Sequence, residues 1–600
     1  MRTFAPLRFD PVRYQHLLLP LLGELMPVLR ARTAASQSAP LETEALRAFL
    51  RRYPKDARGF FSRAELIAGL RAFAEPLEAA SDLARLSAQL RMRPVRTQSG
   101  VTPITVLTKP FPCPGECVFC PNDVRMPKSY LSREPGAQRA EHNGFDPYLQ
   151  TYNRLVALGA IGHTVGKAEL IVLGGTFSFY PEAYQRWFIA RCFDAMNDYG
   201  EGLDRRDGAG HASVEHAALD ASLEPGARPG RYNRRLTPFL RSRHGTTLLH
   251  ASETASWDEL GAAHARNERS SCRNVGLVIE TRPDHVTEAE LIRLRRLGCT
   301  KIQLGVQSLD DETLRQNRRG HDVAAVRRAM RLLRLAGFKV LAHYMPNLLG
   351  STPAADVEGA RMLFEDGDFM PDEVKVYPCS LVETADLMHH YRAGSYRPYE
   401  HDELLSVLSD VLALAPRYAR LSRVIRDISS CDIVAGNRLA NLRELAEERL
   451  RREGRACRDV RSREIRQGAV KPSELSLRVT PYDTSVGREL FLELCTPRDQ
   501  LAGFVRLSLP RERSFIAELA GHAVIRELHV YGASLALGTR EANRPQHNGL
   551  GQQLVHEALD RARAAGFARL SVISAIGTRP YYARLGFEAG ELYQHRSTEL

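Results

Sequence analysis

From about residue 100 the chain alternates short apolar runs with amphipathic stretches, and this alternation limits its fold more than any other feature. The runs are ITVLTK at 104, ELIVLGG at 169, VGLVIE at 275, KIQLGVQS at 301, FKVLAHYM at 338 and DEVKVYP at 372. Helical periodicity fills several of the intervals, at 287–297, 322–336 and 354–366. Strands separated by helices pair in parallel, because each crossover returns the chain to the same end of the sheet. Six such units predict an α/β fold built on a partial (β/α)6 barrel over 96–400, with its chemistry at the C-terminal ends of the strands. Residues 1–95 read as basic helices. The pattern lapses at 200–266, where DRRDGAGHASVEHAALDASLEPGARPGRYNRR is read as a partly mobile insertion, not a domain. Residues 401–475 read as a helical, charged linker. A smaller α/β unit begins at 476, with strands near 501–508, 522–530 and 568–574.

The first strand runs into KPFPCPGECVFCPND, 109–123, which places Cys113, Cys117 and Cys120 on one tight loop. The chain has ten cysteines, and the other seven are scattered as small buried apolar residues would be. Three thiolates on one loop can converge on an iron-sulfur cluster. Such clusters usually take four cysteines, and the next here is Cys192, so one iron would stay open to a small molecule. The alternative is a zinc site completed by a distant histidine such as His142.

The Cys-x3-Cys-x2-Cys spacing after strand one resembles that of the radical S-adenosylmethionine enzymes. The resemblance implies a [4Fe-4S] cluster on Cys113, Cys117 and Cys120. It also implies S-adenosylmethionine on the open iron, cleaved by one electron to a 5′-deoxyadenosyl radical. GGTF, 174–177, ends strand two, and Gly174 and Gly175 let the backbone approach the cofactor amino group. ETRPD, 280–284, sets Glu280 at the barrel mouth. LGVQS, 304–308, offers Gln307 as a cofactor wall. Lys109, Lys375 and Tyr377 are candidate substrate contacts inside the barrel, with Lys109 and Glu280 expected to be catalytic.

RPQHNGLGQQL, 544–554, carries Gln546, Gly549 and Gly551 in the pattern Gln/Arg-x-x-Gly-x-Gly and opens a helix. Backbone N–H groups at a helix start can cradle a pyrophosphate. With AVIRELHVYG before it and ARLSVISAIGTRPYYARLGF after it, this order resembles the GNAT acyltransferases, which bind acetyl-CoA. Tyr581 and Tyr582 then lie by the thioester as catalytic candidates, Tyr582 also as a cofactor contact. Glu527 and His529 are candidate bases in contact with the cofactor.

Both units on one chain, with IETRPD, NRRGHD, RDIS, NLRELA, CRDVRSREI and RELHVYG in order from about 93 to 596, resemble the catalytic subunit of Elongator and its single-chain prokaryotic relatives. The resemblance implies tRNA wobble-uridine modification. A radical formed on the acetyl-CoA methyl group would add to uridine C5, and thioester hydrolysis would leave 5-carboxymethyluridine. Two positions depart from the family: Gln303 stands where a glutamate is expected, and Ser462 where a second cysteine would join Cys457 in a zinc site. The net charge of +12 fits a polyanionic partner. Arginine is densest in NRRLTPFLRSRHG (233–245), RRAMRLLR (327–334) and RLRREGRACRDVRSREIR (449–466). Expected partners are the anticodon stem-loop of tRNA and an electron donor; a homodimer is left open, and no membrane is expected. With no signal-peptide pattern, the expected location is cytoplasmic. Two rival readings are a protein lysine acetyltransferase and a radical enzyme whose acetyl-CoA unit is only a sensor.

Overall fold

Alternation along the barrel strands decides which way each residue faces. In β2 (Lys167–Leu173), Ala168, Leu170 and Val172 are buried against the surrounding helices, while Lys167, Glu169 and Ile171 face the lumen. The same split recurs in β4 (Lys301–Gln307), β5 (Lys339–Tyr344) and β6 (Glu373–Val376), whose inward set is Lys301, Gln303, Lys339, Leu341, Glu373 and Lys375. The barrel is thus apolar outside and charged inside, so its lumen stays open. β1 (Thr102–Leu107) and β3 (Arg273–Thr281) complete the predicted six.

The structure is a computed structural model that describes residues 9–35, 40–55, 59–91, 100–208, 232–465, 472–532 and 549–599. The barrel sheet is parallel throughout, in the order β1-β2-β3-β4-β5-β6-β8. Its seventh strand, β8 (Arg420–Arg423), comes from the segment read as a helical linker. The linker reading missed it because arginines obscure the strand's alternation. β7 (Leu381–Val382) and β9 (Ile433–Ala435) form a separate antiparallel ribbon. Helices after the strands start at side-chain caps, Thr287, Asp310, Asp322 and Thr352, each accepting from a backbone N–H of the first turn.

Of 200–266, read as a partly mobile insertion, residues 209–231 lie outside the described residues, and the described remainder is largely helical. Helices Tyr232–His244 and Trp257–Asn267 place Tyr232, Leu236, Leu240 and Leu260 in the barrel core, and the connection between them adds Leu249. Their apolar residues recur at helical spacing, but the Gly- and Arg-rich composition hid it.

The C-terminal sheet contains β10 (Ser476–Thr484), β11 (Gly487–Cys495), β12 (Leu501–Pro510), β13 (Ala523–Val530), β14 (Arg569–Val572), β15 (Glu588–Ala589) and β16 (Gln594–Ser597), in the order β10-β11-β12-β13-β14-β16-β15. Only β13 and β14 run parallel, paired from Ala523↔Leu570 to Ile525↔Val572. Beyond Ile525 the two strands part, leaving the Arg526–Val530 half of β13 unpaired on that side. Helix Leu550–Ala564 packs on this sheet through Leu550, Leu554, Val555, Ala558 and Ala562. The N-terminal helices have their own leucine core and dock on the barrel, where Arg71 and Arg91 donate to the carbonyls of Gly159 and Gly162.

The C-terminal sheet meets the N-terminal end of the barrel through buried ions. Arg526 bonds both oxygens of Asp372 (2.6 and 2.8 Å) and Glu489 (2.8 Å). Arg295 donates to the carbonyls of Leu592 and Ser574, and Tyr593 to that of Ala336. Among the described residues no helix is long and apolar enough to cross a membrane.

Candidate active site

The cysteine loop sits at the C-terminal end of β1, on an apolar bed that includes Leu348, Leu381, Leu387 and Tyr396. Asn233, from the helix Tyr232–His244 inside the 200–266 segment, brackets Cys113: its amide oxygen accepts from the Cys113 N–H at 2.9 Å and its amide nitrogen donates to the Cys113 carbonyl at 2.7 Å. Arg319 donates to Cys117 Sγ at 3.0 Å and to the Gly305 carbonyl at 2.8 Å. Arg282 is bidentate to Asp284 (2.9 and 3.0 Å) and also donates to the Arg319 carbonyl. Gly115 gives the Arg282 guanidinium room, since a Cβ there would lie 2.0 Å from Nη1. In the buried Cys117–Cys120 pair, the hydrogen bond from Cys120 and the Arg319 and Arg282 charges draw the Cys117 thiol well below its ordinary range. Burial pushes the Cys113 thiol up. Among the described residues no three His, Cys, Asp or Glu side chains gather as one metal ion would need. The Cys457 thiol turns to Asp459, and Ser462 donates to the Cys457 carbonyl.

Around the loop stand the strand ends. Gly174 and Gly175 have φ of +127° and +76°, and a Cβ on Gly174 would lie 2.0 Å from Thr108 Oγ1. Bare backbone is therefore required there. Gln307 adopts φ +71° without being glycine, and its buried amide oxygen has no partner among the described residues. Left-handed strain and an orphaned acceptor thus coincide on one strand end. Three thiols backed by two guanidiniums, with that acceptor nearby, fit a cluster and a small polar cofactor.

Lys109 makes a buried ion pair with Glu253, from the same segment that supplies Asn233. Its ammonium is thereby taken up in positioning the loop. Glu280 lies deeper in the mouth: Tyr130 donates to it at 3.3 Å and His343 approaches at 3.6 Å. Burial raises the Glu280 carboxyl, and the Lys375 charge pulls it partly back. Lys375 donates to Gln303 Oε1, which His343 Nε2 reaches at 3.0 Å. Burial brings the Lys375 ammonium down to about 8. Tyr377 lies 5.6 Å from the His343 ring, and burial raises its hydroxyl to about 12.

A cavity of 1690 Å³ runs from Gln303 and Lys375 through the lumen to the parted strands β13 and β14. Lys301, Glu373, Lys339 and Glu527 line its middle as alternating charges. Gly549, Gly551, Tyr581 and Tyr582 line its far end. Gly549 has φ +77° at the start of helix Leu550–Ala564, and a Cβ on Gly551 would lie 2.8 Å from Tyr581 Oη. Tyr582 is buried in the apolar core of the C-terminal domain and Tyr581 only partly so; burial raises the Tyr581 hydroxyl to about 12. Gln546 falls outside the described residues. The two candidate bases differ sharply. Against burial, Lys339 and Arg506 keep the Glu527 carboxyl ionised and engaged. Burial lowers His529 to about 4, leaving a neutral ring stacked on Phe504 whose Nε2 has no partner among the described residues.

With this geometry in place, similarity to known proteins decides the family. The Radical SAM superfamily profile matches residues 240–360 and the Radical_SAM C-terminal domain profile 371–452. The tRNA uridine(34) acetyltransferase of Dehalococcoides mccartyi is 37% identical over 83% of this chain and 98% of its own length. Elongator complex protein 3 of Homo sapiens is 34% identical over 84% of this chain and 85% of its own. The solved structure of the archaeal Methanocaldococcus infernus Elp3, with an N-terminal deletion, is 32% identical with a TM-score of 0.65, covering 84% of this chain and 100% of that one. The chain belongs to this family. Membership implies S-adenosylmethionine and a [4Fe-4S] cluster. Sequence reasoning had not assigned roles to Arg319 or Asn233. NRRGHD pointed to the first, and nothing in the sequence pointed to the second, since it lies in the segment read as loose.

Proposed function

We propose that this chain is a tRNA uridine(34) acetyltransferase, forming 5-carboxymethyluridine at the wobble position from S-adenosylmethionine and acetyl-CoA. The observation that carries the reading is the continuous cavity between the lumen below the cysteine loop and the parted strands of the C-terminal domain. At 1690 Å³ it exceeds the ~300–1,000 Å³ of an ordinary small-molecule pocket, as a long thioester bridging two sites would need. The tRNA uridine(34) acetyltransferases that this chain resembles supply the substrate.

In this reading 96–400 is the radical domain, 476–600 the acetyl-CoA domain and 401–475 the connection between them. Cys113, Cys117 and Cys120 hold the [4Fe-4S] cluster. Gly174, Gly175 and Gln307 contact S-adenosylmethionine. When bound, these groups supply one-electron chemistry able to remove hydrogen from an unactivated methyl group. Glu280, Lys375 and His343 orient the uridine edge in a site where burial strengthens each polar contact. Gly549 and Gly551 present backbone N–H groups to the pyrophosphate, with Tyr581 and Tyr582 nearby. His529 is favoured over Glu527 to take a proton from the water that attacks the thioester, because its imidazole is neutral and its Nε2 has no partner among the described residues. A tRNA substrate goes with a cytoplasmic location, and an electron donor is required.

The test is anaerobic. The reconstituted enzyme is given S-adenosylmethionine, dithionite, tRNA and acetyl-CoA labelled at the methyl carbon, and the digested nucleosides are analysed by mass spectrometry. Labelled carboxymethyluridine, lost in Cys117→Ala, is expected. Cofactor cleavage without label in the RNA would overturn the acetyl-transfer reading, and acetyl-lysine alone would make the chain a plain acetyltransferase.

A further inference from the structure

Three stretches of this chain are dense in arginine, and the structure treats them differently. In 327–334, Arg327 pairs with Asp366 and Asp368, Arg331 with Glu512, and Arg334 is buried against the Met370 carbonyl. In 449–466, Arg449 pairs with Glu453, Arg451 and Arg452 with Glu448, Arg455 with Asp410 and Arg463 with Glu493. These charges are engaged by neighbours on the same chain, except for Arg328 and Arg458, which stand singly without a carboxylate among the described residues.

Helix Tyr232–His244 is the exception. It carries Arg234, Arg235, Arg241 and Arg243 and no acidic residue. Arg234, Arg241 and Arg243 are exposed and Arg235 is half-buried. Among the described residues no carboxylate pairs with any of the four. Arg243 only lies over the Phe239 ring, at 5.2 Å. Tyr232, Leu236 and Leu240 fix one face in the barrel core, and Arg234 and Arg241, on the far side of the helix from them, are held outward. The helix is also joined to the cysteine loop: Asn233 brackets Cys113, and Tyr232 donates to the Met126 carbonyl at 2.7 Å. Arg234 therefore follows directly in sequence on the residue that touches a cluster ligand. Arg241 lies seven residues on, about two helical turns or roughly 10 Å along the same face.

We infer that the arginine face of helix Tyr232–His244 binds the phosphate backbone of the tRNA strand that enters the barrel mouth, fixing the uridine's approach to the cluster. The inference rests on the tRNA reading above. Unpaired guanidiniums on a rigid face, with no acid among them, are complementary to a row of phosphates and to little else. Attachment to the cluster loop makes this contact local to the reacting base. The paired stretches at 327–334 and 449–466 would have to break their own ion pairs to do the same.

The test compares wild type with R234A/R241A, R234K/R241K and a control, R451A/R452A, in tRNA binding by fluorescence anisotropy across a salt series. Two lost phosphate contacts should reduce the slope of log K against log salt by about 1.5. Affinity at low salt should fall at least tenfold. The lysine variant should keep most of the slope, because charge rather than fork geometry carries this contact. The control should match wild type, and tRNA-independent S-adenosylmethionine cleavage and the melting temperature should not move. An unchanged slope and affinity in R234A/R241A would overturn the inference while leaving the function standing. A wild-type protein with no salt-dependent tRNA binding would overturn the functional reading and this surface together.

Discussion

At the residue scale, the chemistry rests on which buried polar groups are already engaged. Glu527 and His529 sit two apart on one strand, yet one is locked between Lys339 and Arg506 and the other has an unpartnered nitrogen. His529→Gln is therefore expected to lower carboxymethyluridine formation by 10²-fold or more, about the contribution of a positioned base. S-adenosylmethionine cleavage should be preserved, as two parallel product assays will show. Glu527→Gln should instead cost about 2 kcal/mol of stability in denaturant titration, because Lys339 and Arg506 each lose one charged partner and keep only Glu373 and Asp372. Gln303 is a second such point. Its neutral amide leaves Lys375 at about 8. In Gln303→Glu the added carboxylate should favour the ammonium and move any limb near pH 8 in the pH–rate profile upward by a unit or more.

At the scale of elements, strand ends and one helix build the mouth. The turn after β2 leaves no room for a side chain: Gly174→Ala sets a Cβ 2.0 Å from Thr108 Oγ1 in a backbone region that favours glycine. It is expected to lower stability by about 2–3 kcal/mol and to abolish cofactor cleavage, read by thermal unfolding and by 5′-deoxyadenosine release. The helix Trp257–Asn267 carries a different liability. His264 lies buried on it against Phe193, and burial lowers it to about 3. Its folded value is below the ordinary 6.5, so the unfolded chain takes up the proton first. Stability is complete above about pH 6.5 and falls as pH drops toward 3, with a loss of about 2 kcal/mol at pH 5 from this residue. Melting temperature against pH should flatten in that window in His264→Gln.

At the scale of the whole molecule, the barrel lumen and the parted strands of the C-terminal sheet open into one cavity because that sheet is fixed to the N-terminal end of the barrel. Arg526, Asp372, Glu489 and Arg506 form the buried joint. Arg526→Met would leave two carboxylates buried without their main cation, a loss of about 3–5 kcal/mol. Limited proteolysis should then cut between the domains, and label transfer from acetyl-CoA to tRNA should fail while cofactor cleavage continues.

The strand-helix period, the Cys-x3-Cys-x2-Cys loop and the glycines at 174, 175, 549 and 551 were legible in the sequence. Each reports a local demand, whether a buried face, a shared ligand or a bare backbone, and local demands leave marks at short spacing. Arg319 on Cys117, Asn233 on Cys113 and Glu253 on Lys109 were not legible, since they join residues separated by 202, 120 and 144 positions. β8 and the helix at 232–244 were missed because arginine-rich composition masks an apolar period that packing alone makes visible. The same holds for charge. A run of arginines reads alike whether its guanidiniums are spent on neighbouring carboxylates or left for a partner, and only the tertiary structure, by bringing acids beside two of the runs and, among the described residues, none beside the third, decides which is which.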